Sequence, residues 1–202
     1  MKQGKSKSWM PVAGIPDELD PAGLIALPKP KFGLGVILVV VTMLFFLLLV
    51  AYTSRMQITD WHPLPEPGIL WLNTGFLMLS SASLQWAKIA WGHGAFSGVR
   101  NAMLAAGILT GLFLAGQLIA WQQIRSSGYL LAGNPATSFF YLITLIHGLH
   151  LVGGLVAWLK TFVRFIHGNS LLRIGINIDL CAVYWHYLLV VWLIFYCLML
   201  ST

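Results

Sequence analysis

Hydrophobic residues in this chain are gathered into five long runs, which cover approximately residues 33–53, 68–90, 101–121, 139–159 and 180–200. A helix that crosses the hydrocarbon core of a bilayer needs about 20 apolar residues, and each run meets that length. No run contains Asp, Glu or Arg, and the only Lys lies near the end of the second run. Apolar residues are continuous rather than alternating, which excludes the strands of a membrane barrel. The pattern predicts an all-α integral membrane protein, a bundle of five transmembrane helices.

A polar segment of residues 1–32 precedes the first run and contains five prolines and five lysines. It shows neither the period of a helix nor that of a strand, so we expect an irregular cytoplasmic tail. The first apolar run begins too late and is too long for the hydrophobic region of a signal peptide. We therefore expect residues 33–202 to form one five-helix membrane domain.

Lys and Arg are distributed unequally between the two sides of the predicted bundle. Ten lie in the tail and in the second and fourth loops with their flanks, whereas Arg55 and Arg125 alone lie on the other side. Basic loops of membrane proteins stay on the cytoplasmic side. The distribution predicts an N-terminus inside and a C-terminus outside, in a multi-pass protein of the inner (plasma) membrane.

Composition supports the same class. Hydrophobic residues make up 58% of the 202 residues and charged residues only 9%, whereas a soluble domain carries about 25% charged residues. The net charge of +6 is scattered between the apolar runs. Such charges are typical of topology signals and contact with anionic lipids, so we expect no nucleic-acid partner.

Three of the six histidines lie inside predicted helices: His147 and His150 in the fourth and His186 in the fifth. Converging histidines can bind a metal or a haem, but no carboxylate or thiolate accompanies the His147–His150 pair. We expect the three rings to hydrogen-bond backbone or hydroxyl groups between the fourth and fifth helices. Contact with lipid head groups and a bound cofactor are the alternatives.

Small residues recur every four positions in two predicted helices. The third helix has Gly107, Gly111 and Ala115, and the fourth has Gly153 and Ala157. This spacing lets membrane helices approach closely, so we expect these faces to form the seams between helices.

An active site is not evident in the sequence. All six acidic residues lie in the tail, in loops or at a helix start, whereas transporters and pumps usually carry an ionisable relay inside the membrane. Phosphate-binding loops, haem-attachment motifs and nucleophile sets are also missing from the sequence. The residues alone therefore favour a scaffold or accessory subunit.

Two motifs in the last two predicted helices are more specific. The first is HGLH and the second is WHYLLVVW, which together contribute His147, Gly148, His150, Trp185, His186 and Trp192. Over about residues 60–200 the chain resembles subunit III of the haem-copper terminal oxidases, in its short form with five helices. Longer members carry Glu and often Asp where this chain has Ala82 and Leu189.

The resemblance implies a cofactor-free accessory subunit of a respiratory oxidase that reduces dioxygen to water. Its partners would be the haem- and copper-carrying subunit I, the other oxidase subunits and membrane lipids. The motif residues would then be structural, with no catalytic residue and no metal ligand on this chain. Phospholipids would be held between the helices. From their position at the inside edge, four cations are candidates for contact with the head groups: Lys88, Arg100, Lys160 and Arg164. The alternative is that these four residues serve only as positive-inside topology signals.

Two other classes are open at this point. The runner-up is the five-helix homologue of subunit III that accompanies nitric oxide reductases. A small transporter or a free-standing membrane haem protein is a more distant alternative, because broken helices and membrane-embedded acids are not seen in the sequence.

Overall fold

The computed structural model describes residues 29–58, 68–127, 135–167 and 171–201. Five α-helices make up these ranges: α1 (Lys29–Arg55), α2 (Ile69–Gly92), α3 (Phe96–Ser126), α4 (Pro135–Ile166) and α5 (Leu171–Leu200). No strand occurs in the described ranges, which confirms the predicted all-helical class.

All five helices are longer than the apolar runs that predicted them, although α2 exceeds its run by only one residue. For example, α3 has 31 residues and α4 has 32. Apolar runs mark only the hydrocarbon core, about 30 Å thick, whereas helices continue into head-group regions that bring the total to about 40–45 Å. At its start α1 includes residues 29–32, which the sequence pattern assigned to the tail. The rest of the predicted tail lies outside the described residues.

Among the described helices, four are long and apolar enough to cross a membrane: α1, α3, α4 and α5. The remaining helix, α2, has 24 residues and is long enough to span a bilayer, but its polar side chains lower its mean hydropathy. Asn73, Thr74, Ser80 and Ser81 are all buried within the protein. These side chains therefore do not face the surroundings of the bundle.

Helices α2 to α5 form the core of the bundle, in which α2 packs most extensively against α3 and also contacts α5. A turn of only three residues joins α2 to α3, and Gly94 in this turn adopts a φ of +68°. That left-handed conformation is readily available to glycine alone. The turn fixes α2 and α3 as an antiparallel pair.

The first helix lies at the periphery and, within the described residues, contacts only α4 and α5. Only 11% of its most apolar 18-residue stretch is buried. Its buried side chains are Val41, Phe45 and Tyr52, and the Phe45 ring lies 5.7 Å from that of Phe195 on α5. The broad outward exposure of α1 agrees with its nearly uniform apolar sequence.

Candidate functional site

Both tryptophans of the WHYLLVVW motif point into the bundle from α5. Trp185 is 0% exposed and Trp192 is 2% exposed. The indole Nε1–H of Trp185 donates a 3.0 Å hydrogen bond to Thr110 Oγ1 on α3, and that of Trp192 donates a 3.0 Å bond to Thr74 Oγ1 on α2. The two indoles thus tie α5 to α3 and to α2.

A third bond of the same kind joins α3 to α4, where Trp121 Nε1 donates to Thr144 Oγ1 over 2.9 Å. In all three cases the threonine hydroxyl donates its own proton to a carbonyl four residues earlier in its helix. The hydroxyl oxygen is then free to accept the indole proton. We call these three contacts the Trp–Thr bonds.

Thr110 lies at the centre of this polar network. Its hydroxyl accepts from Trp185 and is 2.7 Å from Ser80 Oγ, which also lies 3.0 Å from the Ala106 carbonyl. Thr110 and Ser80 are both 0% exposed. The network therefore connects α2, α3 and α5 without any charged group.

Thr110→Val should lower the free energy of unfolding by about 1–2 kcal/mol, because it keeps the side-chain shape and orphans the buried Trp185 N–H. Thr53→Val is the matched control, since among the described residues the exposed Thr53 hydroxyl bonds only to carbonyls of its own helix. Its expected change is below about 0.5 kcal/mol. Denaturation in mixed micelles, followed by circular dichroism, measures both, and equal changes would contradict a special role for Thr110.

The three membrane histidines occupy different environments. His147 is 1% exposed and packs against the rings of Phe113 and Trp192, at centroid distances of 5.9 and 5.3 Å. His150 is partly buried, 5.5 Å from the Phe45 ring of α1. His186 is exposed on α5. The rings therefore do not converge on one point.

Hydrogen bonding of these rings differs from the expectation of bonds between α4 and α5. His150 Nδ1 pairs with the Ile146 carbonyl at 2.8 Å, and His186 Nδ1 pairs with the Ala182 carbonyl at 2.6 Å, each within its own helix. Neither ring nitrogen of His147 has a partner among the described residues.

No group of three or more His, Cys, Asp or Glu residues is placed to hold a metal ion in the described parts of the chain. Gly148 of the HGLH motif does not lie at a close helix contact, because a Cβ at this position would meet Leu114 at an ordinary van der Waals distance of 3.8 Å. The HGLH segment therefore contributes one buried ring, His147, and one ring packed against α1, His150.

Close helix contacts occur at glycines that the four-residue spacing only partly identified. A Cβ on Gly107 would lie 2.5 Å from the Trp158 ring, as expected for a seam. The expectation is wrong for Gly111 and Gly153, around which nothing lies within 4 Å. Ala115 and Ala157 are likewise exposed. The spacing missed the seams at Gly116, which faces Asn73, Gly154, which faces Tyr184, and Gly175, which faces Trp91.

A salt-bridge network that the sequence did not reveal joins three helices. Lys88 Nζ of α2 lies 2.5 Å from Asp179 Oδ1 of α5, and Lys31 Nζ of α1 lies 3.6 Å from Asp179 Oδ2. Of the four cations expected at lipid head groups, Lys88 is thus paired with a carboxylate. Arg100, Lys160 and Arg164 are exposed.

An apolar groove of about 550 Å³ lies between α1 and α4, with α5 as its floor. Small residues leave space for the groove, namely Gly33 on α1 and Gly153 and Ala157 on α4. Its floor is formed by Leu180, Cys181, Tyr184 and Trp185. The Tyr184 hydroxyl donates to the His150 carbonyl at 3.1 Å, so the one hydroxyl in this lining is already used.

These observations define the class of the protein. It is a helical membrane protein in which, among the described residues, Trp–Thr bonds and close contacts at glycines join the helices. The family model for cytochrome c oxidase subunit III matches residues 29–201. The chain belongs to that family.

Individual relatives agree with the family match. The chain is 30% identical to a protein named cytochrome c oxidase subunit 3 from Madoqua guentheri, and 29% identical to one of the same name from Bos mutus grunniens. A protein of this name from Pelea capreolus is 30% identical. Each alignment covers 141 residues, which is 68% of this chain and 52% of the relative. The chain thus spans about half the length of the curated relatives it matches.

Proposed function

We propose that this chain is a cofactor-free accessory subunit of a respiratory haem-copper oxidase that reduces dioxygen. It packs beside the catalytic subunit, which carries the haems and copper, and stabilises that subunit during turnover. The observation that carries the proposal is the match to the subunit III family along residues 29–201. The names of the relatives favour an oxidase over a nitric oxide reductase as the parent complex.

The proposal includes five membrane spans, with the N-terminus inside the plasma (inner) membrane and the C-terminus outside. For α2, support comes from the burial of Asn73, Thr74, Ser80 and Ser81, which removes these four polar side chains from lipid. For the orientation, support comes from the salt bridges of Lys31 and Lys88 with Asp179, which place charged groups at the end of the bundle where the basic loops lie.

Phospholipid is the ligand that we assign to the apolar groove between α1 and α4. Its lining is almost wholly apolar, and its volume of about 550 Å³ is in the range of ligand sites. Lys160 and Arg164 follow Ala157 on α4 and are exposed, so they are available to an anionic head group. Arg100 lies at the start of α3, which is not among the helices that line the groove.

Gly153→Phe should displace this lipid, because no atom lies within 4 Å of a Cβ at Gly153 and a ring can therefore fill the groove. Native mass spectrometry of the purified complex should show less retained phospholipid than for wild type. Gly111→Phe is the matched control, since its Cβ also meets nothing within 4 Å but lies outside the groove. Equal lipid retention in both variants would contradict the assignment.

Co-purification tests the function itself. A tagged chain, extracted from membranes in mild detergent, should bring with it a larger subunit that carries haem and copper. The haem absorption should stay with that subunit when the two are separated. A chain that retains stoichiometric haem on its own, or that isolates without any haem-containing partner, would overturn the proposal.

A further inference from the structure

The first helix packs against the bundle along only part of its length. None of the residues 31–40 is buried, whereas Val41, Phe45 and Tyr52 further along α1 are buried. These three side chains belong to one apolar cluster with residues of α4 and α5. We call residues 31–40 the N-terminal arm of α1. The arm therefore has no buried apolar side chain that anchors it to the bundle.

The apolar groove lies directly beside this arm. Gly33, Leu34 and Ile37 of the arm form one wall of the groove, opposite residues of α4 and α5. A Cβ on Gly33 would meet no atom within 4 Å. The groove thus takes the place of side-chain packing between the arm and the bundle. The position of the arm sets how far the groove opens toward the surrounding lipid.

A hinge lies where the arm meets the packed part of α1. The Thr42 hydroxyl donates a 2.6 Å hydrogen bond to the Leu38 carbonyl, four residues earlier in the helix. Threonine bonds of this kind often bend a helix. The Thr42 oxygen also lies 2.9 Å from the Tyr187 hydroxyl on α5, which is the donor because Thr42 donates to Leu38. Thr42 therefore holds α1 to α5 at a point where bending is favoured.

An exposed salt bridge holds the far end of the arm. Lys31 Nζ lies 3.6 Å from Asp179 Oδ2, and the two side chains are 47% and 28% exposed. Asp179 Oδ1 lies 2.5 Å from Lys88 Nζ of α2, so the carboxylate keeps a partner when Lys31 moves away. An exposed ion pair shifts an equilibrium by less than about fivefold. Release of the arm is therefore easy and leaves no unpaired charge on α5.

We propose that the N-terminal arm of α1 is a gate for the groove. It bends at Thr42, is held closed by the Lys31–Asp179 pair, and opens to let phospholipid pass between the arm and α4. The inference rests on the proposed function, because it assigns the regulation of the same lipid site. A lipid that enters sideways keeps its acyl chains in hydrocarbon and its head group at the level of Lys31, where the apolar span of α1 begins.

Spin-label distances in the purified complex, reconstituted in nanodiscs, test the motion. Nitroxides on ketone-containing amino acids replace Val36 on the arm and Val156 on α4, which are 49% and 50% exposed. A control pair replaces Val50 and Leu142, which are 45% and 42% exposed beside the packed part of α1. For the arm pair we expect two distances, the longer of which gains population in Lys31→Gln, and for the control pair one unchanged distance. A single arm distance that is the same with and without Lys31→Gln would overturn the inference.

Lipid exchange tests the consequence of the motion. The complex is transferred into nanodiscs of deuterated phospholipid, and native mass spectrometry follows the loss of the retained unlabelled lipid. Lys31→Gln should speed this exchange about two- to fivefold, because it removes the ion pair that closes the gate. Arg125→Gln is the matched control, since Arg125 is an exposed cation on α3, which does not line the groove. Equal exchange rates in the two variants would contradict a gate.

Failure of the gate can be told apart from failure of the proposed function. A complex that co-purifies with its haem-containing subunit and retains lipid, but exchanges it at one rate with and without Lys31→Gln, keeps the function and rejects the gate. A chain that co-purifies with no such subunit rejects the proposed function. The same arm pair, measured on that chain in nanodiscs, then decides whether the arm moves.

Discussion

Gly116→Val should lower the free energy of unfolding by about 3 kcal/mol, at the upper end of overpacking costs. Gly116 is buried on α3 directly against the side chain of Asn73 on α2, and a Cβ at this position would overlap the Asn73 Oδ1 atom. Asn73 is 0% exposed and its amide is 3.4 Å from that of Gln117, so it has no free space to move into. The two helices would have to separate.

The same substitution at Gly111 is the control for this prediction. Gly111 is five residues earlier in α3 and is exposed, and a Cβ at this position would meet no atom within 4 Å. Its change should stay below about 0.5 kcal/mol. Denaturation in mixed micelles compares the two variants, and similar losses would show that the α2–α3 contact is not the cause.

Trp185→Ala should lower the free energy of unfolding by about 3–5 kcal/mol, the range for removal of a large buried aromatic side chain. The ring is 0% exposed, packs with Leu84 and Ala106, and donates to Thr110. Trp86→Ala is the matched control, because the Trp86 ring on α2 is 65% exposed. A loss for Trp185→Ala no larger than that of the control would contradict the packing described for α5.

Trp185→Phe separates the two contributions of this residue. Phenylalanine retains most of the aromatic volume and removes the indole N–H that donates to Thr110. The expected loss is about 1–2 kcal/mol, close to that of Thr110→Val. In the double variant the two losses should not add, because both changes remove the same hydrogen bond. Full additivity would show that the bond contributes little.

Helix number and class could be predicted from the sequence because the burial of apolar groups in lipid leaves long uninterrupted runs. Helix ends could not, because polar residues such as Arg173 continue the helix beyond the hydrocarbon. The length of an apolar run indicates how much of the helix lies in the hydrocarbon core, not where the helix begins and ends.

Helix faces were harder to predict than helices. The four-residue spacing found Gly107, which contacts Trp158, but also Gly111 and Gly153, which contact nothing. Spacing shows that small residues share a face, but it does not show which of them a side chain of a neighbouring helix, such as Trp158, reaches. Gly116 lies on a different face of α3 from Gly111 and was missed for this reason.

The same limit applies to polar residues. Thr110 and Thr144 accept indole protons from other helices, yet each is an isolated threonine in an apolar run. Asp179 was visible as an acid near the start of the fifth helix, but its two lysine partners are 91 and 148 residues distant in the chain. The signal that could have found the Trp–Thr bonds is the presence of buried indoles, which need an acceptor.

Oxygen consumption by the complex, with and without this chain, tests the central claim of an accessory, non-catalytic subunit. The chain is removed with detergent, and the rate per haem is followed from the first seconds until activity ceases. An accessory role predicts an unchanged initial rate and an unchanged haem content, followed by earlier inactivation during turnover. Immediate loss of the initial rate or of haem with the chain, or an identical lifetime of activity without it, would contradict that role.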